Sequence, residues 1–162
     1  MEFAKGIKRL SDNVDKICLA VVVIMLAAMV GITCAQIICR FFKALSWSDE
    51  ATRYLLIWST FLGASCVYHS GGHIAITALH GFVPHRLHKP LQIIIHILCM
   101  IVFVVAIYHG ALYAGRQSAQ LSPSMRIPMC YMYAAIPVGF SLCLLHAFNH
   151  IVQLMAGEEK AL

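Results

Sequence analysis

Four long apolar runs separated by short polar stretches set the pattern of the chain: Ile17 to Cys39, about Ala51 to Tyr68, Leu91 to Tyr113, and about Met129 to Ile151. Hydrocarbon offers a peptide group no hydrogen-bond partner, so an apolar run of roughly twenty residues crosses a bilayer as a helix that pairs its own N–H and C=O groups. Three of the runs carry no Asp, Glu, Lys or Arg, and the second holds only Arg53, near its start. The pattern predicts an all-α integral membrane protein, a single membrane domain over residues 1–162 with four transmembrane helices. Between the second and third runs, Ile74 to Val83 mixes apolar residues with Thr77 and His80 and is too short to span. It predicts a short interfacial helix ending at Pro84.

Within the runs, small residues recur at every fourth position: Ala27, Gly31 and Ala35; Ala106, Gly110 and Ala114; Ala135, Gly139 and Cys143; and the pair Ser59 and Gly63. Any one row can arise by chance in an Ala-rich sequence. A row on every helix points to a tightly packed bundle that also docks on another protein, because association in lipid depends on close backbone approach. Pro137 lies inside the fourth run, where it removes an intrahelical hydrogen bond, and it predicts a kink near Tyr133 to Pro137. The first run is longer than a signal-peptide core and lacks a small-x-small cleavage site, so it reads as a retained span.

Composition adds to this picture. The residues are 60% hydrophobic and 12% charged, and the mean hydropathy is +0.79, a balance that polar surface cannot cover in a water-soluble domain of this size. The net charge of +5 comes from basic residues scattered between the runs rather than gathered in a stripe, which argues against nucleic-acid binding. Seven cysteines, nearly all inside apolar runs, make neither a disulfide framework nor a CxxC metal site. An even number of spans puts both termini on one side with Lys5, Lys8, Arg9, Lys16, Arg86, Lys89 and Lys160. Arg40, Lys43, Arg53, Arg116 and Arg126 lie opposite, and the bias favours both termini in the cytoplasm.

The second run opens with Trp47-Ser48-Asp49-Glu50-Ala51-Thr52-Arg53-Tyr54, three charges beside an otherwise apolar helix. The local chemistry is that of a helix start. Ser46 or Ser48 can cap, Asp49 and Glu50 suit the positive end of the helix dipole, and Trp47 suits the headgroup layer. Asp49 and Arg53 are an i,i+4 pair and Glu50 and Arg53 an i,i+3 pair, so the arginine can be neutralised within its own helix. Two acids competing for one base leave an acid spare for a partner subunit. Downstream, Gly71-Gly72-His73 ends the helix and lets the backbone turn along the surface.

The run WSDEATRYLLIWSTFLGASCVYHSGGHIAI resembles the signature of the DctQ-type small membrane subunit of TRAP (tripartite ATP-independent periplasmic) transporters: a Trp, an acid, an Arg, a second Trp, a Gly-containing patch and Gly-x-His-Ile. The stretch Met125 to Met129 through Ile136 to Phe140 is similar to that family's approach to its last helix, although Cys130 and Tyr131 stand where an aromatic pair is expected. By this resemblance Trp47, Glu50, Arg53, Trp58, Gly63, Gly72, His73, Pro128, Pro137 and Gly139 occupy the family's recurring positions, as an interface or structural motif. The resemblance implies a bacterial inner-membrane protein, small partner of a large multi-span subunit that carries an organic acid with sodium, while a soluble periplasmic binding protein delivers the substrate. The chain would brace the immobile scaffold of that symporter, with Arg116 and Arg126 as basic docking points for the binding protein.

The residues themselves fit a part that does not carry the solute. A secondary carrier needs polar groups at mid-membrane, and the deep candidates here are only His96 and His109, Thr33 and Gln36, and Ser59 and Thr60. Neither an enzyme nor a resident cofactor is expected. Two alternatives make demands of their own: a homodimeric small exporter would require a deep acid, and a haem-bearing anchor of a redox complex would require histidines matching the spacing of His96 and His109. His146 and His150, one turn apart, do not supply that spacing. Zinc at His69, His73 and His80 has only Cys66 near as a fourth ligand. Most histidines read as interfacial, with His73 singled out by the family motif.

Overall fold

A computed structural model describes residues 2–40, 45–71 and 88–156. Four long helices and one short one make up almost all of it: α1 Glu2–Cys39, α2 Ser48–Gly71, α3 His88–Arg116, α4 Cys130–Tyr133 and α5 Ala135–Ala156. Among the described residues the β structure is a lone antiparallel bridge between Leu121 and Pro128. The expected interfacial helix over 74–83, together with Gly72 and His73, lies outside the described residues.

Each of the first three apolar runs lies within one helix, whereas the fourth is divided between α4 and α5. The largest departure is at α1, which begins at Glu2 rather than at the first apolar residue. Its polar N-terminal part is helical because other helices hold it, as Ser11, Asp12 and Asp15 show below. At about 1.5 Å per residue its 38 residues reach about 57 Å, well beyond the ~30 Å of a hydrocarbon core. Three segments are long and apolar enough to cross a membrane: Gly6–Cys39, Leu91–Arg116 and Cys130–Leu154. The 24-residue α2 has the length of a fourth, but its Ser, Thr, Tyr and His content makes it less apolar.

The two middle helices are α2 and α5, with α1 packed on α2 and α3 packed on α5. On the α1 side the core joins Cys18 and Val22 to Leu62 and Cys66, with Trp58 and Leu142 against it. On the α3 side Phe140 sits edge-on to Phe61 at 5.7 Å and tilted against Phe103 at 5.7 Å. The outward faces of α1 and α3 carry large aliphatic side chains, among them Ile24, Ile37 and Ile38 on α1 and Ile94, Leu98 and Ile101 on α3.

The small-residue rows divide into two kinds. A Cβ at Gly139 would stand 2.7 Å from the Phe61 Cβ and 3.0 Å from its carbonyl oxygen, and one at Gly110 would stand 2.8 Å from Ile136 Cγ2. These two glycines allow α5 to approach α2 and α3 closely. Gly31 and Gly63 face open space within the chain, so at these two glycines no neighbouring helix of the chain packs close. The last span is interrupted at Ala134, between α4 and α5, within the range expected for a kink. Pro137 has no N–H to offer the Tyr133 carbonyl, and the ladder resumes with Val138 N–H bonded to Ala134 O at 3.2 Å.

Candidate functional site

Charged and polar side chains gather at the two ends of the helix layer. At the N-terminal end of α2, Trp47 lies exposed in the turn before the helix and its carbonyl accepts the Ala51 N–H at 3.0 Å. Ser48 is buried, and its hydroxyl donates back to Leu45 O at 2.7 Å rather than capping the helix.

The two acids of the motif have separate partners, and neither is Arg53. Asp49 Oδ1 accepts from Gln36 Nε2 of α1 at 2.7 Å. Glu50 Oε2 accepts the backbone N–H groups of Met125 at 2.7 Å and Ser124 at 3.1 Å. Arg53 is exposed and forms no ion pair among the described residues. The expected intrahelical pairing is therefore corrected: the spare charge is the base. The reason is geometric, since a rigid turn presents two convergent N–H donors, whereas a solvent-exposed ion pair must immobilise a long flexible side chain for little gain.

That turn is the tip of a small hairpin between α3 and α4. Ser122 N–H bonds to Ile127 O at 2.9 Å and Met129 N–H to Gln120 O at 2.8 Å around the Leu121–Pro128 bridge. Arg126, at φ 54°, occupies the left-handed region, which costs a non-glycine residue about 1 kcal/mol or more. The Glu50 clamp fastens the two residues just before it. The Ser122 hydroxyl, followed by the Met125 and Ser124 N–H groups and the nearby Arg53 charge, holds the Glu50 carboxyl below the usual carboxylate range, against the opposing effect of desolvation. Arg116, at the end of α3, and Arg126 are both exposed. Trp58 reaches the same region from within α2, donating its Nε1–H to Tyr131 O at 3.1 Å.

The opposite end was missed by sequence reasoning. His69, near the C-terminus of α2, lies between two acids of α1, with Nε2 3.1 Å from Asp12 Oδ1 and Nδ1 3.3 Å from Asp15 Oδ2. Its ring lies 4.7 Å from that of His146 on α5, and His146 Nδ1 meets Ser11 Oγ at 2.7 Å with both residues fully buried. Beside them His96 of α3 stacks on His150 of α5 at 5.4 Å, and Tyr68 Oη meets His96 Nδ1 at 2.8 Å. His69, expected at the interface, and His96, expected deep in the third run, join His146 and His150 in a group that links all four long helices. No three His, Cys, Asp or Glu side chains among the described residues are arranged to hold a metal ion. A signal existed in the four-residue spacing of His146 and His150 on an apolar helix, but their partners lie many tens of positions away.

Long apolar helices with charges held at their ends define an integral membrane protein. The family profile described as "Tripartite ATP-independent periplasmic transporters, DctQ component" matches residues 29–157, and the chain belongs to that family. It is 27% identical over 138 residues to the ectoine TRAP transporter small permease protein TeaB of Halomonas elongata, covering 83% of this chain and 70% of TeaB. It is 26% identical over 113 residues to the sialic acid TRAP transporter permease protein SiaT of Haemophilus influenzae, covering 68% of this chain but only 18% of SiaT. The chain is a small permease subunit of a TRAP transporter, a transport component rather than an enzyme.

Proposed function

We propose that this subunit is the static scaffold of a sodium-driven, binding-protein-dependent transporter for an organic acid, bracing a large multi-span subunit that carries the solute. The observation that carries this reading is the contrast among the glycines: Gly110 and Gly139 are filled by neighbouring helices, whereas Gly31 and Gly63 lie open beside the aliphatic faces of α1 and α2. Open backbone at the lipid face is where a second protein's helix gains most by close contact. The match to 18% of the longer SiaT supports the same reading, since there a similar stretch belongs to a larger permease chain. TeaB and SiaT are named for ectoine and sialic acid, and the solute carried here is set by the large subunit and the binding protein.

In this reading α2 is the fourth span, both termini are cytoplasmic in the bacterial inner membrane, and the hairpin carrying Arg126 faces the periplasm with Arg116. These two basic residues meet acidic groups of the periplasmic binding protein. Among the motif residues, Glu50, Trp58, Pro128, Pro137 and Gly139 shape the chain itself, and Trp47 and Gly63 remain for the partner. Affinity purification of the tagged chain from its native membrane, with mass spectrometry, tests the assembly. A large multi-span protein in about equal amount is the expected result. Recovery of a folded chain alone or as a homodimer would refute the scaffold role.

A further inference from the structure

We propose that the cavity beside the N-terminal turns of α2 binds a phosphoethanolamine headgroup, as carried by phosphatidylethanolamine: a phosphate and a primary ammonium on a short tether. The cavity has a volume of about 360 Å³, within the range of small-ligand sites, and lies between α2 and the hairpin leading into α4. Asp49, Glu50, Arg53 and Tyr54 line it on one side and Pro123, Met129 and Met132 on the other.

The charges on the α2 side are what select the ligand. Glu50 Oε2 is engaged by the hairpin, and Arg53, although close enough to favour the Glu50 carboxylate, forms no ion pair with it. Asp49 uses Oδ1 on Gln36 and leaves Oδ2 without a partner among the described residues. Besides the Glu50 carboxylate, whose Oε2 is taken by the hairpin, the cavity therefore offers one guanidinium and one half-used carboxylate, four positions apart on a helix, where side chains stand about 5–6 Å apart at Cβ. Opposite charges at that spacing match the opposite charges of phosphoethanolamine. A ligand with a phosphate alone satisfies Arg53 but sits against the Asp49 carboxylate, and a quaternary ammonium has no N–H to give that carboxylate.

A further unused group adjoins these charges. Tyr54 Oη is buried and has no hydrogen-bond partner within the chain, and a buried hydroxyl in that state calls for an acceptor. A phosphate oxygen held by Arg53 is such an acceptor. The depth agrees as well, since Trp47 lies exposed in the turn just before α2 and indoles sit at the headgroup level. The Met and Pro wall then meets the start of the acyl chains.

The test uses the full-length chain purified with its natural partners, stripped of lipid by detergent exchange and read by native mass spectrometry. Phosphatidylethanolamine, phosphatidylcholine and phosphatidylglycerol of matched chains are added separately. The wild-type protein is expected to retain phosphatidylethanolamine about tenfold better than either rival, an advantage corresponding to one added charge-assisted contact. Arg53→Gln and Asp49→Asn are each expected to abolish the preference, and Tyr54→Phe to reduce it. If Arg53→Gln does not assemble, the other two variants carry the test. Equal retention of phosphatidylglycerol, or a preference unchanged in Arg53→Gln, overturns the proposal. So does binding of free phosphoethanolamine as strong as that of the lipid, which would make a soluble compound the ligand. Absence of any preference also overturns it and leaves the cavity to a side chain of the large subunit.

Discussion

Gly139 and Gly63 occupy similar places in the sequence, each inside an apolar helix with a small residue four positions away, and the fold treats them oppositely. At Gly139 the backbone of α2 lies so near that a methyl group does not fit, whereas at Gly63 there is open space. The same division runs along α1, where Ser11, Cys18 and Val22 are buried, while Gly31, Cys34 and Ile38 further on are exposed. Spacing alone identifies a surface suited to close packing. Whether the neighbour is this chain or another depends on where the remaining helices run.

The contrast is strongest for bulk at the two glycines. Gly139→Leu is expected to destabilise the chain by about 3 kcal/mol through overpacking against Phe61, seen as a lower melting temperature in detergent. Gly63→Leu should leave the isolated chain within about 0.5 kcal/mol of wild type while lowering recovery of the large subunit. Equal destabilisation by both would erase the distinction.

Next in size is Ser11→Ala, which leaves the buried His146 Nδ1 without its partner and should cost about 2 kcal/mol. The matching change at the exposed end of α1, Thr33→Ala, removes only a bond to Met29 O of the same helix and should be close to neutral. Trp58→Phe removes the donor to Tyr131 O and should cost about 1 kcal/mol, measurable in the same melts. A neutral Trp58→Phe would show that α4 is held in place by packing alone.

The smallest effect is local to the hairpin. Because the Glu50 carboxyl is held below its ordinary value, the clamp is fully present above the unfolded value of about 4.3 and is lost as pH falls through the lower folded value. Hydrogen exchange at Ser124 and Met125 should therefore show constant protection from about pH 8 to about pH 5, with loss only under more acid conditions. Glu50→Gln should weaken that protection across the whole range. Loss between about pH 7 and about pH 6 would instead point to histidine control.

Much of the helical framework was legible because bilayer thickness and backbone pairing leave few alternatives for runs such as Leu91 to Tyr113. The N-terminal extension of α1 was not, since its polar residues are helical through contacts with His69 and His146 that no local pattern encodes. At the α2 motif the local pairing rule points to the wrong partner for Glu50. Glu50 and Arg53 are near in sequence, and the i,i+3 rule brings them together, but the donors that Glu50 takes are 74 and 75 positions away. The histidine group was hidden for the same reason: no member's local sequence names its partners, and only the fold makes them neighbours.

The grip of His69 on Asp12 and Asp15 has a mechanical side. The two acids are three residues apart on the longest helix, so sliding α1 along its axis moves one acid toward the imidazole as the other leaves, and rolling α1 carries both away. The contact fixes the vertical register of α1 on α2 to less than one helical pitch of about 5.4 Å. Helices adapt to thinner or thicker bilayers by tilting, and two helices pinned in this way tilt together. Any tilt that α1 takes up is then shared by α2.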